Sequence, residues 1–426
     1  MGKSLLVLGA QWGDEGKGKI TNYFSEKADV VIRYQGGNNA GHTIVFDNHK
    51  YALSSIPSGV FDENVKCVIA NGCVLNPRAF VIERNKLIEQ GFACNNIYIS
   101  DRCHVIFDHN IEIDRLNEER LKDKKIGTTK KGIGPCYSDK TERIGMRMCD
   151  FIGPNFKERY KTLLEIKNRQ IKSLGGNEID YEKTVLEYLE LADLIRPMVT
   201  DTIALINNER KKGKNILFEG AQGSLLDIDF GSYPYVTSSH VTSGGVICGT
   251  GIGCHGIDDV LGIVKAYQTR VGEGAFPTEL NNEIGNEIRE KGHEYGTVTH
   301  RPRRTGYLDL VALKYSILVN GITSICLTLL DVLTGFDEVK VCVAYEYNNE
   351  ILNTLPASDD VLKECKPVYK TLKGWKEDIS NTKTFDELPK AAQEYIEFIE
   401  KELDVPVDVF SVGPDKLQTI VRKEIF

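Results

Sequence analysis

The fold is decided by the stretch Leu5-Leu6-Val7-Leu8-Gly9, which runs directly into Ala10-Gln11-Trp12-Gly13-Asp14-Glu15-Gly16-Lys17-Gly18-Lys19. An apolar strand, a glycine-rich turn and a following helix form the arrangement in which backbone N–H groups bind phosphate. Residues 13–19 fit G-x-x-x-x-G-K, but Ile20 stands where such loops carry the Ser or Thr that holds magnesium. Another group must then hold the metal, and Asp14 is the candidate for metal ligation or general-base catalysis.

Composition excludes several classes of protein. The chain has 426 residues and a net charge of −8, so a nucleic-acid partner is not expected, because coating nucleic acid needs a broad basic face. The apolar run at 5–8 is too short for a signal peptide or a membrane span. The 11 cysteines include no C-x-x-C pair, which argues against a zinc ribbon. We predict a cytoplasmic protein with reduced thiols and no membrane partner.

The order of elements predicts an α/β fold with a central, mostly parallel sheet flanked by helices. Short β-branched apolar runs alternate with helical patterns, and no Pro/Gly/Ser linker divides the chain. We therefore expect a single catalytic domain, 1–426, with a helical excursion at about 151–212 that stops at Gly175-Gly176 and breaks at Pro197. The predicted strands are 5–9, 30–34, 65–70, 97–100, 216–219, 260–267, 324–330 and 407–412.

A second glycine-rich run, Gly36-Gly37-Asn38-Asn39-Ala40-Gly41-His42-Thr43, follows the strand predicted at 30–34. Open parallel sheets bind ligands at the carboxyl ends of their strands, which is where this loop falls. Because histidine titrates near neutrality, His42 is suited to donate a proton. Asp14 and His42 are predicted to form a base and acid pair.

Other loops supply positive charge or polar groups. Residues 127–135 carry two lysines and no acid, and Arg143 lies just beyond. Residues 296–306 contain Arg301, Arg303 and Arg304, again without an acid, which indicates an anion clamp. Asp331 ends a predicted strand, where it is either a turn residue or a reader of a guanine edge. Residues 251–256 match the dinucleotide pattern G-x-G-x-x-G, although no clean strand precedes them.

These motifs in this order resemble the adenylosuccinate synthetase family of GTP-dependent ligases, which join IMP and L-aspartate. The resemblance extends from Gly9 to Asp415. It rests on QWGDEGKGK, NAGHT, GTT-x-x-GIGP and FEGAQG, the last two at 127–135 and 218–223. It implies a P-loop-NTPase-like fold with helical and loop insertions, a Mg2+ cofactor and a homodimer. The implied reaction is the first committed step of AMP synthesis, through a 6-phosphoryl-IMP intermediate.

The resemblance also implies roles for individual residues. Asp14 would be the base and His42 the acid, with Lys17 and Gln222 completing the catalytic set, and Arg143 would reach the partner subunit's site. The metal ligands would be Asp14 and the carbonyl of Gly41. The implied GTP contacts are Gly13, Asp14, Glu15, Gly16, Lys17, Gly18, Lys19, Gly41, His42, Thr43, Arg303, Leu329, Leu330, Asp331, Ser411, Val412 and Gly413. The implied IMP contacts are Asp14, Lys17, Asn39, Gly41, His42, Thr129, Arg143, Gln222, Thr237 and Arg301. The implied aspartate contacts are Thr297, Val298, Thr299, His300, Arg301 and Arg303.

Two positions depart from the family pattern. Leu329 replaces the usual Lys two residues before Asp331, which makes the surface offered to the base apolar. His300 replaces the usual Gly in the aspartate loop.

Two alternative functions remain open from the sequence. A GTP-binding switch would not need an IMP or aspartate pocket, and a dinucleotide oxidoreductase would use residues 251–256 to bind nicotinamide.

Overall fold

We describe a computed structural model of the chain over residues 2–39, 41–46, 49–122, 126–296 and 301–426, without the side chains of residues 42, 43, 45, 46, 49 and 50. The strands are β1 Ser4–Gly9, β2 Val30–Arg33, β3 His42–Phe46, β4 His49–Leu53, β5 Lys66–Ile69, β6 Val74–Leu75, β7 Ile97–Ser100, β8 His104–Val105, β9 Val199–Thr200, β10 Ile216–Gly223, β11 Asp259–Lys265, β12 Gln268–Arg270, β13 Arg304–Gly306, β14 Leu308–Asp309, β15 Ser324–Thr328, β16 Glu338–Tyr347, β17 Glu350–Leu352, β18 Lys366–Lys373, β19 Val407–Ser411 and β20 Thr419–Val421. The helices are α1 Lys17–Ser25, α2 Pro77–Glu89, α3 Asp108–Arg120, α4 Ile133–Glu142, α5 Met148–Phe151, α6 Phe156–Ser173, α7 Tyr181–Ile195, α8 Thr202–Lys211, α9 Ser243–Thr250, α10 Glu283–Lys291, α11 Leu310–Asn320, α12 Asp359–Glu364 and α13 Lys390–Leu403.

The described residues form a ten-stranded central sheet in the order β20-β19-β15-β11-β1-β10-β2-β5-β7-β9. Its neighbours pair in parallel except for the edge pair β19 and β20. All eight predicted strands lie in this sheet, so the predicted α/β fold is confirmed. The sequence analysis missed the two short edge strands, β9 and β20, and the smaller sheet built on β16.

The central strands are apolar throughout because helices or loops cover both faces of the sheet. Every residue of β1 is buried. Leu6 and Leu8 face one apolar cluster, whereas Leu5 and Val7 pack against Ile20 on the other face. Complete burial of such a side chain stabilises the fold by roughly 1.5–3 kcal/mol. The phosphate loop therefore begins from a fully buried strand of the sheet.

The segment predicted to be a helical excursion contains α6 and α7. The first helix ends before Gly175, which has a φ of 84°, and the second passes into a short 3-10 turn at Pro197, as predicted. Both helices pack through aromatic residues, including Tyr160 and Tyr188, against Phe107 at the start of α3. The chain then returns to the central sheet, because β9 pairs with β7 before α8 begins.

Candidate active site

The loop between β1 and α1 has the backbone shape of a phosphate cradle. Gly13, Asp14 and Gly16 have φ values of 87°, 57° and 80°, so the chain turns sharply and α1 begins at Lys17. Glycine adopts this left-handed region readily, whereas an aspartate there is strained. The turn leaves the side chain of Asp14 41% exposed on the cleft. No acidic side chain occupies the first turn of α1, so its positive end is available to an anion.

Glu15 stabilises the loop from the inside. Its carboxylate is fully buried and accepts hydrogen bonds from the backbone N–H groups of Gln11 (3.1 Å) and Gly13 (2.8 Å). It also pairs with Lys17. A GTP contact from Glu15 would therefore come from its backbone, whereas Lys17 already lines the cleft.

Ile20, where other phosphate loops have a hydroxyl, is fully buried in the apolar cluster beneath the sheet. Its position explains why the residue is apolar: the side chain points into the core with Phe24 and not toward the loop. A metal held at this loop must take its ligands elsewhere, as the sequence predicted.

A cleft of about 580 Å³ opens beside the loop. It collects segments that are far apart in the sequence, because the carboxyl ends of neighbouring parallel strands meet at one edge of the sheet. Arg143, Arg301 and the residues predicted around guanine do not line it. The predicted site residues that do line it are Gly13, Asp14, Gly16, Lys17, Gly18, Lys19, Asn39, Gly41, Thr129, Gln222, Thr237 and Arg303.

Four candidate residues other than glycine have a left-handed backbone: Asp14, Arg143, Gln222 and Leu329, with φ between 57° and 64°. For a bulky residue such as Leu329 this conformation is a genuine outlier. Strained backbone of this kind costs of order 1–3 kcal/mol and is retained mostly at functional sites. Seven other non-glycine residues that the structure describes share this conformation, so it agrees with the motifs at these four positions without assigning a role by itself.

Gln222 lies at the end of β10 opposite the second glycine-rich loop. Its side-chain oxygen accepts a hydrogen bond from Gln35 at 3.1 Å, and Gln35 also donates to the carbonyl of Ala221 at 2.8 Å. Asn39 accepts from the backbone N–H of Gly37 at 3.2 Å. These contacts hold the amides of Gln222 and Asn39 at one wall of the cleft, where they can hydrogen-bond a polar ring.

Two carboxylates of α3 hold the lysine-containing loop. Asp114 accepts from the hydroxyl of Thr128 and from the backbone N–H of Gly132, both at 2.9 Å. Glu118 accepts from the backbone N–H groups of Ile126 and Gly127, both at 3.2 Å. The loop is thereby fixed at both ends, with its hydroxyls and cations exposed beside the cleft.

Asp14 forms an ion pair with Arg303, whose Nε lies 3.0 Å from Oδ2 of Asp14. Arg303 also contacts the buried carboxylate of Glu294, with 2.7 Å between Nη1 and Oε2. Burial alone would raise the pKa of Glu294, but the charges of Lys265 and Arg303 more than offset this and hold it below its ordinary value. Although burial opposes it, the pKa of Arg303 is raised by Asp14 and Glu294.

The residues predicted around guanine lie close to one another and to Lys19. Lys19 donates to the carbonyl of Gly413 at 2.8 Å, and the backbone N–H of Leu329 donates to the hydroxyl of Ser411 at 3.3 Å. Oδ1 of Asp331 is buried and accepts no hydrogen bond from the part of the chain that the structure describes. Burial raises the pKa of Asp331, against the opposing effects of its own backbone N–H and of Lys19. A buried acceptor of this kind can accept from a ligand or from an ordered water.

Six of the predicted site residues lie wholly or in part outside the described part of the chain. Thr297, Val298, Thr299 and His300 lie outside the described residues, as do the side chains of His42 and Thr43. Gly41 is exposed at the cleft.

Two interpretations of the sequence are corrected. Arg304 does not belong to the anion clamp, because its guanidinium binds both oxygens of Glu279, at 2.8 and 2.6 Å. Residues 251–256 connect α9 to β11, a helix to a strand, whereas a dinucleotide fingerprint connects a strand to a helix. The dinucleotide interpretation is therefore wrong.

Several residues of the site were missed. Arg33, the last residue of β2, and Glu219, its register partner in β10, lie 3.8 Å apart as a buried ion pair and line the cleft. Their signal in the sequence was a charged residue at the end of an apolar run. Asp114 and Glu294 carried no such signal, since each is an ordinary acid in a polar stretch.

No helix in the described part of the chain is long and apolar enough to cross a membrane. All eleven cysteines are free, and eight of them are buried.

Comparisons with known proteins agree on one family. The family model described as adenylosuccinate synthetase matches residues 6–420. The chain is 52% identical to the adenylosuccinate synthetase of Clostridioides difficile (strain 630), covering 100% of both chains, and 52% identical to that of Thermoanaerobacter sp. (strain X514), covering 99% of both. It is also similar to the solved structure of fully ligated adenylosuccinate synthetase from Plasmodium falciparum, with 43% identity, a TM-score of 0.94 and coverage of 99% of this chain and 100% of that one.

Proposed function

The chain belongs to the adenylosuccinate synthetase family, and from this premise we propose which residues perform the reaction. The reaction is the GTP-dependent joining of IMP and L-aspartate in AMP synthesis. The observation that supports the assignment best is the single cleft, into which separate segments bring the phosphate loop, Asn39, Thr129, Gln222 and Arg303. A GTP-binding switch would have no use for the walls opposite the phosphate loop.

The chemical difficulty is the leaving group. Hydroxide is not displaced from carbon 6 of a purine at neutral pH, whereas phosphate is. We propose that Asp14 removes the ring-nitrogen proton of IMP while the 6-oxygen attacks the γ-phosphate of GTP, giving 6-phosphoryl-IMP and GDP. The amine of aspartate then displaces phosphate. His42 is proposed as the acid that assists the attack, and Lys17 as a cation that neutralises phosphate charge.

The substrates are proposed to occupy three neighbouring regions. IMP lies against Asn39, Thr129, Gln222, Thr237 and Arg301. Guanine lies beside Leu329 and Asp331, where Oδ1 of Asp331 accepts from the base and the loop at 411–413 encloses it. The loop at 297–303 holds aspartate, with Arg303 between aspartate and GTP.

Magnesium is the proposed metal. The donors are a carboxylate, Asp14, and a backbone carbonyl, Gly41, and hard oxygen ligands suit this ion. The carboxylate of Asp14 is accessible from the cleft and already attracts a cation, Arg303. When bound, the ion neutralises charge on the phosphates.

We propose that the enzyme acts in the cytoplasm as a homodimer, with Arg143 in the partner's site. Arg143 ends α4 in a left-handed conformation and does not line the cleft of its own chain. Mixing Asp14→Ala subunits with Arg143→Leu subunits tests this. Random pairing should restore about a quarter of the wild-type activity, since half the dimers have one intact site of two. Mixtures as inactive as their components would refute the shared site.

The reaction is tested with the purified protein, GTP, magnesium, aspartate and IMP labelled with 18O at position 6. Adenylosuccinate should form only when every substrate is present, and the label should appear in inorganic phosphate. If inorganic phosphate is labelled by 18O-water but not by 18O-IMP, the phosphorylated intermediate is refuted. No adenylosuccinate near neutral pH would refute the assignment of the site.

A further inference from the structure

The ion pair between Asp14 and Arg303 is the outer end of a buried chain of alternating charges. Glu294 contacts Arg303 through Oε2, and its Oε1 accepts from Nζ of Lys265 and from the hydroxyl of Tyr267, both at 2.6 Å. The side chains of Glu294 and Lys265 are each 1% exposed. Positive and negative groups thus alternate from the strand β11 to the cleft, where Arg303 is 15% exposed and Asp14 41%.

Glu294 holds Arg303 through its backbone as well as its side chain. The backbone N–H of Arg303 donates to the carbonyl of Glu294 at 2.9 Å, and Nε of Arg289 donates to the carbonyl of Arg303 at 2.8 Å. Arg303 follows the loop that carries the candidate aspartate residues. Both the backbone and the guanidinium of Arg303 are therefore held by neighbouring residues.

The inner end of this chain is tied to the phosphate loop. Lys265 also donates to the hydroxyl of Thr269 at 2.7 Å, and its backbone N–H donates to the side chain of Gln11 at 2.9 Å. Gln11 in turn belongs to the loop that contains Asp14. Asp14 and Arg303 are thus both connected to the same buried ion pair, which Lys265 and Glu294 form.

We propose that Glu294 is a positioning residue for the reaction: it holds Arg303 where the guanidinium meets Asp14 and the substrates. Without the carboxylate, two buried cations, Lys265 and Arg303, lose the anion between them. Arg303 then moves toward Asp14 or out of the site. The proposal rests on the function proposed for Asp14 and Arg303, and it adds a residue that touches no substrate.

The test is a double-mutant cycle on the full-length enzyme with Glu294→Gln and Arg303→Lys. Glu294→Gln should lower kcat at least about 10-fold, the effect of one misplaced charged group. The KM for IMP should change by less than about 3-fold, because Asp14 is the only proposed IMP contact in this chain of charges and the variant keeps it. Since Glu294 acts through Arg303, the double variant should be no slower than Arg303→Lys alone.

Glu209→Gln is the matched control. Glu209 is also a buried carboxylate between two lysines, Lys66 and Lys212, but it lies on α8 away from the cleft. The kcat of the Glu209→Gln variant should equal that of the wild type. Circular dichroism verifies folding of each variant, and if Glu294→Gln does not fold, Glu294→Asp keeps the charge while it shortens the reach to Arg303.

The outcomes separate the two proposals. An unchanged kcat in Glu294→Gln, or effects of the two substitutions that simply multiply, would overturn the positioning role while the wild type still makes adenylosuccinate. A wild type that makes no adenylosuccinate would instead overturn the site assignment on which the inference rests.

Discussion

Asp331→Asn is the sharpest test of how the protein selects its nucleotide. The carboxylate of Asp331 offers two acceptors, and its Oδ1 is buried without a hydrogen bond in the described part of the chain. Guanine presents two N–H donors on one edge, so both oxygens can be satisfied. Asparagine keeps one acceptor but turns an N–H₂ group toward a donor of the base. Xanthine carries an oxygen at that position and matches the variant.

The magnitude follows from hydrogen bonds to a charged group, which contribute about 1.5–3 kcal/mol each. The variant loses one such bond to GTP and forms a new one to xanthosine triphosphate. Because 1.4 kcal/mol corresponds to about tenfold, the ratio of kcat/KM for the two nucleotides should shift by about 100-fold toward xanthosine triphosphate.

The assay is direct competition of the two triphosphates at fixed IMP and aspartate, with the nucleoside diphosphates separated by chromatography. Leu329→Lys serves as a comparison, because it changes the neighbouring side chain without altering the acceptors of Asp331. An unchanged nucleotide ratio in Asp331→Asn would refute the assignment of Asp331 as the residue that reads the base.

Four further results are expected. Burial raises the pKa of Asp331 above 3.8, so the carboxylate should take up a proton, and lose an acceptor for the base, at a pH higher than 3.8. The KM for GTP should therefore increase as the pH falls toward 3.8, and a KM that does not change in this range would contradict the prediction. Asp14→Ala should lower kcat by at least about 1,000-fold, since it removes the proposed base and metal ligand; near-normal turnover would disprove the role. Ile20→Thr should reduce the free energy of unfolding by about 2 kcal/mol in denaturant titrations, because it buries a hydroxyl in an apolar cluster, and a gain in activity would show that the hydroxyl is needed after all. Burial raises the pKa of Asp309 from 3.8 to about 6, although Tyr345 donates a hydrogen bond to it. The contribution of Asp309 to stability is therefore complete below pH 3.8 and is lost as the pH rises through about 6, and Asp309→Asn should remove about 3 kcal/mol of this pH dependence. If the free energy of unfolding changes with pH in the same way in the variant and the wild type, the prediction is wrong.

The sequence predicted the central sheet well because the strands of a parallel sheet are buried on both faces and therefore consist of unbroken apolar runs. It missed β16 and β18, where the exposed residues are mixed with apolar ones and lysines mark an edge. It also missed β9 and β20, which are two and three residues long. Such strands exist because a neighbouring strand supplies their hydrogen-bond partners, which no local pattern reveals.

The candidate site shows the same division. Asp14, Lys17 and Gln222 could be chosen because glycine-rich motifs surround them. Glu294 could not, because its role comes from contacts with Lys265 and Arg303, residues 29 positions before and 9 positions after it in the chain. Motifs therefore identify the groups that meet the substrates, whereas the residues that position those groups become visible only when the fold brings them together.

The place of β1 in the sheet affects how the enzyme is made. β1 leaves the ribosome before both of its neighbours, because β10 and β11 begin only at residues 216 and 259. Until these strands have been synthesised, β1 is an unpaired apolar segment, which is the kind of segment that chaperones bind. Asp331 and Ser411 follow later still. A nascent chain therefore cannot consume GTP before the partner strands, and with them the walls of the cleft, have been synthesised.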